Sequence, residues 1–258
     1  MAEQIQSCFA RFETKYFLTQ KQYRAMLEGM AAHTAPDAYP RYTINNLYFD
    51  TPNFQLIRDS LEKPAYKEKL RLRSYGQVQA GQTVFLEMKK KYDGVVYKRR
   101  IVLPIEEAVA YLEHGQRPSD DNQICKEIDW LRRCYDLRPV AFIGYEREAY
   151  AGIEDPELRI TFDTNLRWRT DDMDLRSADR GEVLGPPDAI LLEVKFPGVC
   201  PFWLSRLMNE LGIRRTSFSK YGTCYAENLM YRPAAPALPQ REPDKQLARP
   251  VAHAAAMG

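Results

Sequence analysis

Histidine is almost missing. His33, His114 and His253 are the only three in 258 residues, so imidazole acid–base catalysis or a histidine-rich metal site has little to draw on. Cysteine is sparse and odd in number: Cys8, Cys125, Cys134, Cys200 and Cys224 include no C-x-x-C spacing. That excludes a zinc knuckle and a disulfide framework, and it fits a reducing compartment. No apolar run approaches the roughly 20 residues of a membrane span, and the stretch MAEQIQSCFARFE carries no signal-peptide core. A cytoplasmic, soluble protein with no membrane span is expected. Net charge is nearly absent as well, with 37 Lys+Arg against 35 Asp+Glu, +2 overall and an isoelectric point near 8.2. Such a balance speaks against a broadly basic coat for nucleic acid. The sequence also lacks a P-loop, a G-x-G-x-x-G turn, H-E-x-x-H and G-x-S-x-G.

What is present reads as one domain over residues 1–231, followed by a Pro/Ala-rich tail over 232–258. The stretch from Tyr231 holds five of the 17 prolines and almost no large apolar residues, a composition that cannot offset the entropy of ordering. Upstream, strands are expected at Cys8–Leu18, Tyr42–Phe49, Tyr66–Tyr75, Thr83–Lys91, Val95–Leu103, Ala141–Ala151, Leu158–Arg169 and Ala189–Phe196. Asp93-Gly94 is a hairpin signal, because Gly supplies the positive φ of a tight turn. Thr19-Gln-Lys-Gln22 has capping-box form, and Tyr23, Met26, Leu27 and Met30 follow at helical spacing. Further helices are expected at Ile105–Glu113, Asn122–Tyr135 and Pro201–Leu211, and a last one after Ser219. The fold class is thus mainly β with flanking helices (α+β).

Residues two apart on a strand share a face. Glu13 and Lys15 do so, as do Arg71 and Arg73, Glu87 and Lys89, Lys98 and Arg100, Tyr145 and Arg147, Arg159, Thr161 and Asp163, and Glu193 and Lys195. The opposite faces carry Phe12, Leu70, Leu72, Leu86, Met88, Ile160, Phe162, Leu192 and Val194. An antiparallel sheet with one solvated face produces such alternation most often. Here, however, the polar positions favour Arg and Lys with a few isolated carboxylates, and a barrel closed with that face inward would be a polar tunnel. Buried unpaired charges cost several kcal/mol each, so a tunnel of this kind needs water and a counter-charge. Arg favours phosphate through bidentate donation. The few carboxylates suit a divalent cation bridging them to phosphate oxygens. Lys98-Arg-Arg100 and Arg167-Trp-Arg169 could instead mark an RNA-binding surface. Against this, Arg167 and Arg169 continue the alternation of Arg159 and Asp163, Trp168 reads as core, and no nucleic-acid partner is expected.

Nine segments in order go beyond periodicity: Arg11-Phe-Glu-Thr-Lys-Tyr16, Leu47-Tyr-Phe-Asp50, Lys69-Leu-Arg-Leu-Arg-Ser-Tyr-Gly76, Phe85-Leu-Glu-Met-Lys-Lys-Lys91, Tyr97-Lys-Arg-Arg100, Tyr145-Glu-Arg147, Leu158-Arg-Ile-Thr-Phe-Asp163, Leu192-Glu-Val-Lys195 and Ser219-Lys-Tyr221. Together they resemble the VTC (vacuolar transporter chaperone) polyphosphate polymerase domain of the triphosphate tunnel metalloenzyme superfamily, over roughly Phe9 to Tyr231. The resemblance implies an eight-stranded antiparallel triphosphate-tunnel barrel. It also implies transfer of the terminal phosphoryl group of a nucleoside triphosphate to a polyphosphate chain, with Mn²⁺ or Mg²⁺ as cofactor. By position, Lys15, Arg71, Arg73, Lys89, Lys98, Arg147, Arg159 and Lys220 resemble phosphate-binding residues. Glu193 resembles the main metal ligand, with Glu13 and Glu87 beside it, and Tyr145, Lys195 and Ser219 resemble flanking substrate contacts. The related cyclase and thiamine triphosphatase branch begins E-x-E-x-K; Arg11 stands at its first Glu here and suits the polymerase branch. Three functions are compatible with these residues: a polyphosphate polymerase, a tripolyphosphate or nucleoside triphosphate hydrolase, and a non-catalytic polyphosphate-binding module.

Overall fold

Each alternating stretch forms a strand in the computed structural model, which describes residues 11–231 apart from Lys63, Gly94, Asp120 and Asp121. The eight long strands are β1 (Arg11–Leu18), β2 (Thr34–Asp50), β3 (Tyr66–Tyr75), β4 (Thr83–Tyr92), β5 (Val95–Pro104), β6 (Arg138–Gly152), β7 (Arg159–Arg169) and β9 (Ile190–Pro197). Two-residue strands β8 (Glu182–Val183) and β10 (Arg215–Thr216) are added at β7 and β1. All pairs are antiparallel, in the order β10-β1-β9-β7-β6-β2-β3-β4-β5. Tyr92 pairs with Val95 across the expected two-residue hairpin, where Asp93 has φ +42°. Cys8 and the tail from residue 232 lie outside the described residues.

The expected closed barrel is an open, curled sheet, because β5 and β1 are not hydrogen-bonded to each other. The reason lies at β1, where β10 takes the outer edge at Lys15 and Tyr16 that closure would need. The curl shows in which charges reach one another. Flat spacing would put β1 and β3, five strand steps apart, about 24 Å from each other. Lys15 on β1 nonetheless bears electrostatically on Lys69 of β3, and Glu13 on Lys89 of β4. The ionisable face is therefore concave.

The convex face is buried under two helix pairs. Helices α1 (Gln20–Met30) and α5 (Phe202–Glu210) cover β1, β9 and β7 through Met26, Met30, Leu204, Phe162, Leu192 and Val194. Thr19 and Gln22 form the capping box of α1, with Thr19 Oγ1 accepting from Gln22 N at 3.2 Å and Gln22 Oε1 accepting from Thr19 N at 3.0 Å. Helices α3 (Ile105–His114) and α4 (Gln123–Cys134) cover β3–β5 through Ala108, Tyr111, Ile128, Leu70, Leu86 and Met88. A third cluster fills one end of the concave side. There α6 (Lys220–Cys224) and the π-helical turn Tyr225–Leu229 pack on Ile44, Tyr48, Ile143, Leu191 and Trp168. Among the described residues no helix is long and apolar enough to cross a membrane.

Two features depart from the sequence expectation. Helix α2 (Gln55–Leu61) was not expected, because its N-cap is Phe54 in a left-handed conformation with no capping side chain. Its orphan donors go instead to the buried Asp50, which accepts from Leu56 N at 2.8 Å, Ile57 N at 3.0 Å and the Tyr221 hydroxyl at 2.8 Å. One carboxylate thus ties α2 to α6. The second departure is a bulge in β7, where Asn165 has φ +48° and the register with β6 shifts between Gly144 and Glu146. The extra residue swaps faces, so Arg167 and Arg169 do not continue the face of Asp163. Arg169 lies 3.6 Å over the Phe142 ring and Arg167 pairs with Asp179, while Leu166 and Trp168 turn to the concave apolar cluster.

Candidate functional site

Strand register assembles the first charged network from β1, β9, β7 and β6. Lys15 and Thr161 both lie directly opposite Glu193, Glu13 lies opposite Lys195, and Arg147 opposite Asp163. Glu193 Oε1 accepts from Lys220 Nζ at 2.9 Å and pairs with Lys15 Nζ at 3.2 Å; its Oε2 accepts from Arg147 Nη2 at 3.1 Å. Asp163, wholly buried, takes both Arg147 donors, Nε at 2.6 Å and Nη2 at 2.7 Å, and Lys220 Nζ at 2.6 Å. Glu13 pairs with Lys15 at 3.3 Å and Lys195 at 3.8 Å. The Tyr145 ring lies under two of the cations, Lys220 at 4.4 Å and Arg147 at 5.3 Å.

Helix α6 delivers Lys220 into this network. Ser219 caps the helix by accepting from Gly222 N at 3.2 Å, and Tyr221 stacks on Tyr48 at 4.6 Å while bonding Asp50. Ser219, expected as a flanking substrate contact, is thus placed as the cap of the element that presents Lys220.

The second network belongs to β3, β4 and β5 and centres on Glu87. Its Oε2 accepts from Arg71 Nε at 2.9 Å and Nη2 at 2.7 Å, with Arg73 Nε at 3.8 Å. Its Oε1 accepts from Arg100 Nε at 2.8 Å and Nη2 at 2.6 Å, with Lys98 Nζ at 3.1 Å. Arg73 also donates to Asn46 Oδ1 at 3.0 Å, and Arg71 to the Tyr48 hydroxyl at 3.2 Å. Lys69 lies 6.0 Å from the Tyr221 ring centroid, facing the first network. Of the fourteen residues expected from the sequence, Arg159 lies opposite Lys195 but pairs with Asp37 at 3.2 Å, and Lys89 is exposed beside the second network.

The protonation pattern is that of a site with too little negative charge. Burial pushes Glu193 up, but Lys220, Lys15 and Arg147 outweigh it and hold the carboxyl well below the ordinary range. Burial likewise pushes Glu87 up, and Arg71, Arg73 and Lys98 overcome it and hold the carboxyl well below the ordinary range. Two lysines go the other way. Burial, reinforced by Lys89, Lys67, Lys15 and Arg71, pulls Lys69 down to about 8; burial pulls Lys98 down to about 8 in spite of Glu87. The two networks and the lysines beside them thus set ten cations (Lys15, Lys69, Arg71, Arg73, Lys89, Lys98, Arg100, Arg147, Lys195 and Lys220) against four carboxylates, Glu13, Glu87, Asp163 and Glu193.

Asp163, Thr161 and Arg100 stand in the sequence alternation and within the nine segments, but the resemblance implies no role for them. Asn46, Tyr48 and Lys69 carry the same period-two signal and join the two networks in the structure. For a divalent cation, no three His, Cys, Asp or Glu side chains among the described residues group as a protein cage. The donor chemistry fits another mode, in which one or two carboxylates share the ion with phosphate oxygens. Glu193 and Glu13 supply hard oxygens bridged by Lys15, and the buried Thr161 Oγ1 opposite Glu193 has no hydrogen-bond partner. Beside Glu13 and Lys15 a cavity of about 480 Å³ opens, lined by Arg215, Thr216, Ser217 and Phe218.

Comparison with known proteins agrees with this geometry. The family model of the VTC domain matches residues 10–228. No curated protein matches the sequence. Among solved structures, a candidate adenylyl cyclase from Hippeastrum, described as having a dominant triphosphatase activity, is 15% identical with a TM-score of 0.51, covering 83% of this chain and 94% of that one. A candidate adenylate cyclase from Bacillus halodurans is 16% identical with a TM-score of 0.48, covering 80% and 92% of the respective chains. The Hippeastrum likeness identifies the fold.

Proposed function

Because the chain belongs to the VTC domain family, matched over residues 10–228, we propose that it is a metal-dependent polyphosphate polymerase of the cytoplasm. It transfers the terminal phosphoryl group of a nucleoside triphosphate to a polyphosphate chain. The observation that carries this reading is the charge excess, ten cations against four carboxylates. A single nucleoside triphosphate brings roughly four negative charges, taking each phosphate at its usual ionisation. The surplus leaves cationic surface for a second phosphate chain beside it. No disulfide joins Cys125, Cys134, Cys200 and Cys224 among the described residues.

In this reading the protein positions and neutralises, which is most of what phosphoryl transfer requires. The bond from the terminal phosphorus to its bridging oxygen breaks, the nucleoside diphosphate leaves, and an oxygen of the acceptor chain forms the new bond. Lys15, Arg147 and Lys220 hold the transferred group beside Glu193. Arg71, Arg73, Lys98 and Arg100 hold the chain, and the cavity beside Glu13 takes the nucleoside. Mn²⁺ or Mg²⁺, held by Glu193 and Glu13 with Thr161 near, would supply charge neutralisation at the phosphate oxygens.

Incubation with ATP and Mn²⁺ is expected to yield a ladder of anionic chains on a gel, degraded by an exopolyphosphatase. Orthophosphate without chains would make the protein a hydrolase, and polyphosphate binding with neither product a binding module. A pH series adds a second expectation. Lys69 and Lys98, both at about 8, bind phosphate as cations and lose their protons as pH rises. Polyphosphate affinity measured at fixed ionic strength should be level below pH 7. Above pH 8 it should fall by up to about tenfold per unit for each lysine. A level profile to pH 9.5 would contradict the assignment of these lysines to the chain.

A further inference from the structure

Glu87 is the one carboxylate on the concave face of β3, β4 and β5 among the described residues, and its side chain is 2% exposed. Both of its oxygens are taken up by cations, Oε2 by Arg71 and Oε1 by Arg100 and Lys98. The resemblance implies a metal ligand here, but each Glu87 oxygen accepts two hydrogen bonds from one guanidinium, which take up both of its lone pairs, whereas Glu193 Oε2 accepts only one among the described residues, from Arg147. Each guanidinium closes on one Glu87 oxygen through Nε and Nη2, the same donor edge that it would offer to a phosphate oxygen. Glu87 therefore occupies the donors that a phosphate chain would use.

We propose that Glu87 is a positioning residue and built-in counter-anion. It holds the donor planes of Arg71 and Arg100 in place between ligands, and it competes with the phosphate chain for them, so that the chain can advance and leave. The inference rests on reading the concavity as a polyanion site. Without an anion at this point, Arg71, Arg73, Lys98 and Arg100 would repel one another. With one, the empty site keeps its shape and the bound chain is held less tightly than the cation count alone would give. A processive polymerase needs that compromise, since a chain gripped by every cation could not move.

Glu87→Gln preserves the shape and removes the charge. Inorganic polyphosphate should bind this variant roughly five- to tenfold more tightly than wild type at low salt, with a salt dependence steeper by about one charge. Glu87→Asp, which keeps the charge, should stay within about twofold of wild type. Mn²⁺ binding, followed by the loss of free-ion electron resonance signal, should be unchanged in Glu87→Gln. Equal or weaker polyphosphate binding by Glu87→Gln overturns the proposal, because a merely structural side chain would do no more than lower the melting temperature. Loss of Mn²⁺ binding overturns it too, by assigning Glu87 to the metal. If Glu87→Gln does not fold, the double variant Glu87→Gln/Lys98→Met is compared with Lys98→Met; tighter polyphosphate binding by the double variant supports the proposal and equal binding overturns it. Wild-type protein that does not bind polyphosphate at all would instead remove the polyanion reading.

Discussion

Glu193→Ala is expected to abolish metal-dependent turnover, by about a thousandfold or more, in a protein that remains folded. Glu193 is the meeting point of the first network, 5% exposed and shared by Lys15, Lys220 and Arg147. Those three cations keep it ionised against the pull of burial, so it is an anion at any pH where the protein works. Its loss would remove the hard-oxygen ligand proposed for the metal and leave the surrounding cations in place. Polyphosphate binding should therefore survive or tighten while Mn²⁺ binding and turnover disappear, and that split separates a metal role from general damage. Glu193→Gln, which keeps the volume, should be equally inactive. Wild-type turnover in either variant, or unchanged Mn²⁺ affinity, would exclude the metal role.

Much of this site was legible in the sequence because a strand repeats every two residues. Arg71-Leu-Arg73 and Glu193-Val-Lys195 place their charges on one face wherever the strand lies, and antiparallel register then lines the faces up. Helix caps were equally local, as Thr19 and Asn122 show. What escaped was non-local or lay at exceptions to the period. The Asn165 bulge inverts the period, so Arg167 and Arg169 look like site residues in sequence but serve the loop around Asp172 and Asp179 instead. Helix α2 is capped by a side chain four residues before its own N-cap, Asp50, which no capping rule would select. Whether the sheet closes depends on which strand takes the outer edge of β1. The two-residue β10 decides that with too little sequence to carry a signal. The strand partners of Glu87 and Asp163 follow from register with the neighbouring strands, but Lys220 reaches Asp163 from α6, which no single strand contains.

Lys220→Met tests the seating of α6 most directly, since Lys220 joins α6 to the paired strands β7 and β9. The expected cost is about 3–5 kcal/mol of folding stability, the usual consequence of removing one partner from a buried ion pair. Lys220 is 8% exposed and donates to Asp163 at 2.6 Å and Glu193 at 2.9 Å. Arg147 still reaches both carboxylates, which argues for the lower part of the range. The pH dependence has a definite sign. Burial pulls the Lys220 ammonium down, but Asp163 and Glu193 outweigh it and raise it above its ordinary value. Its contribution is then fully present below the unfolded lysine value of about 10.4 and is lost only as pH climbs from there toward the raised folded value. On the acid side Glu193 is depressed, so its contribution is present above the unfolded value of about 4.3 and fades as pH falls below it. Urea unfolding should therefore give a wild-type-to-variant difference that is level from pH 6 to 9 and shrinks below about pH 4. Adding Asp163→Asn to Lys220→Met should recover part of the loss, because it removes one of the carboxylates left short of charge. A difference under about 1 kcal/mol at pH 7, the size typical of an exposed pair, would mean that α6 does not hold Lys220 against Asp163 and Glu193 in solution.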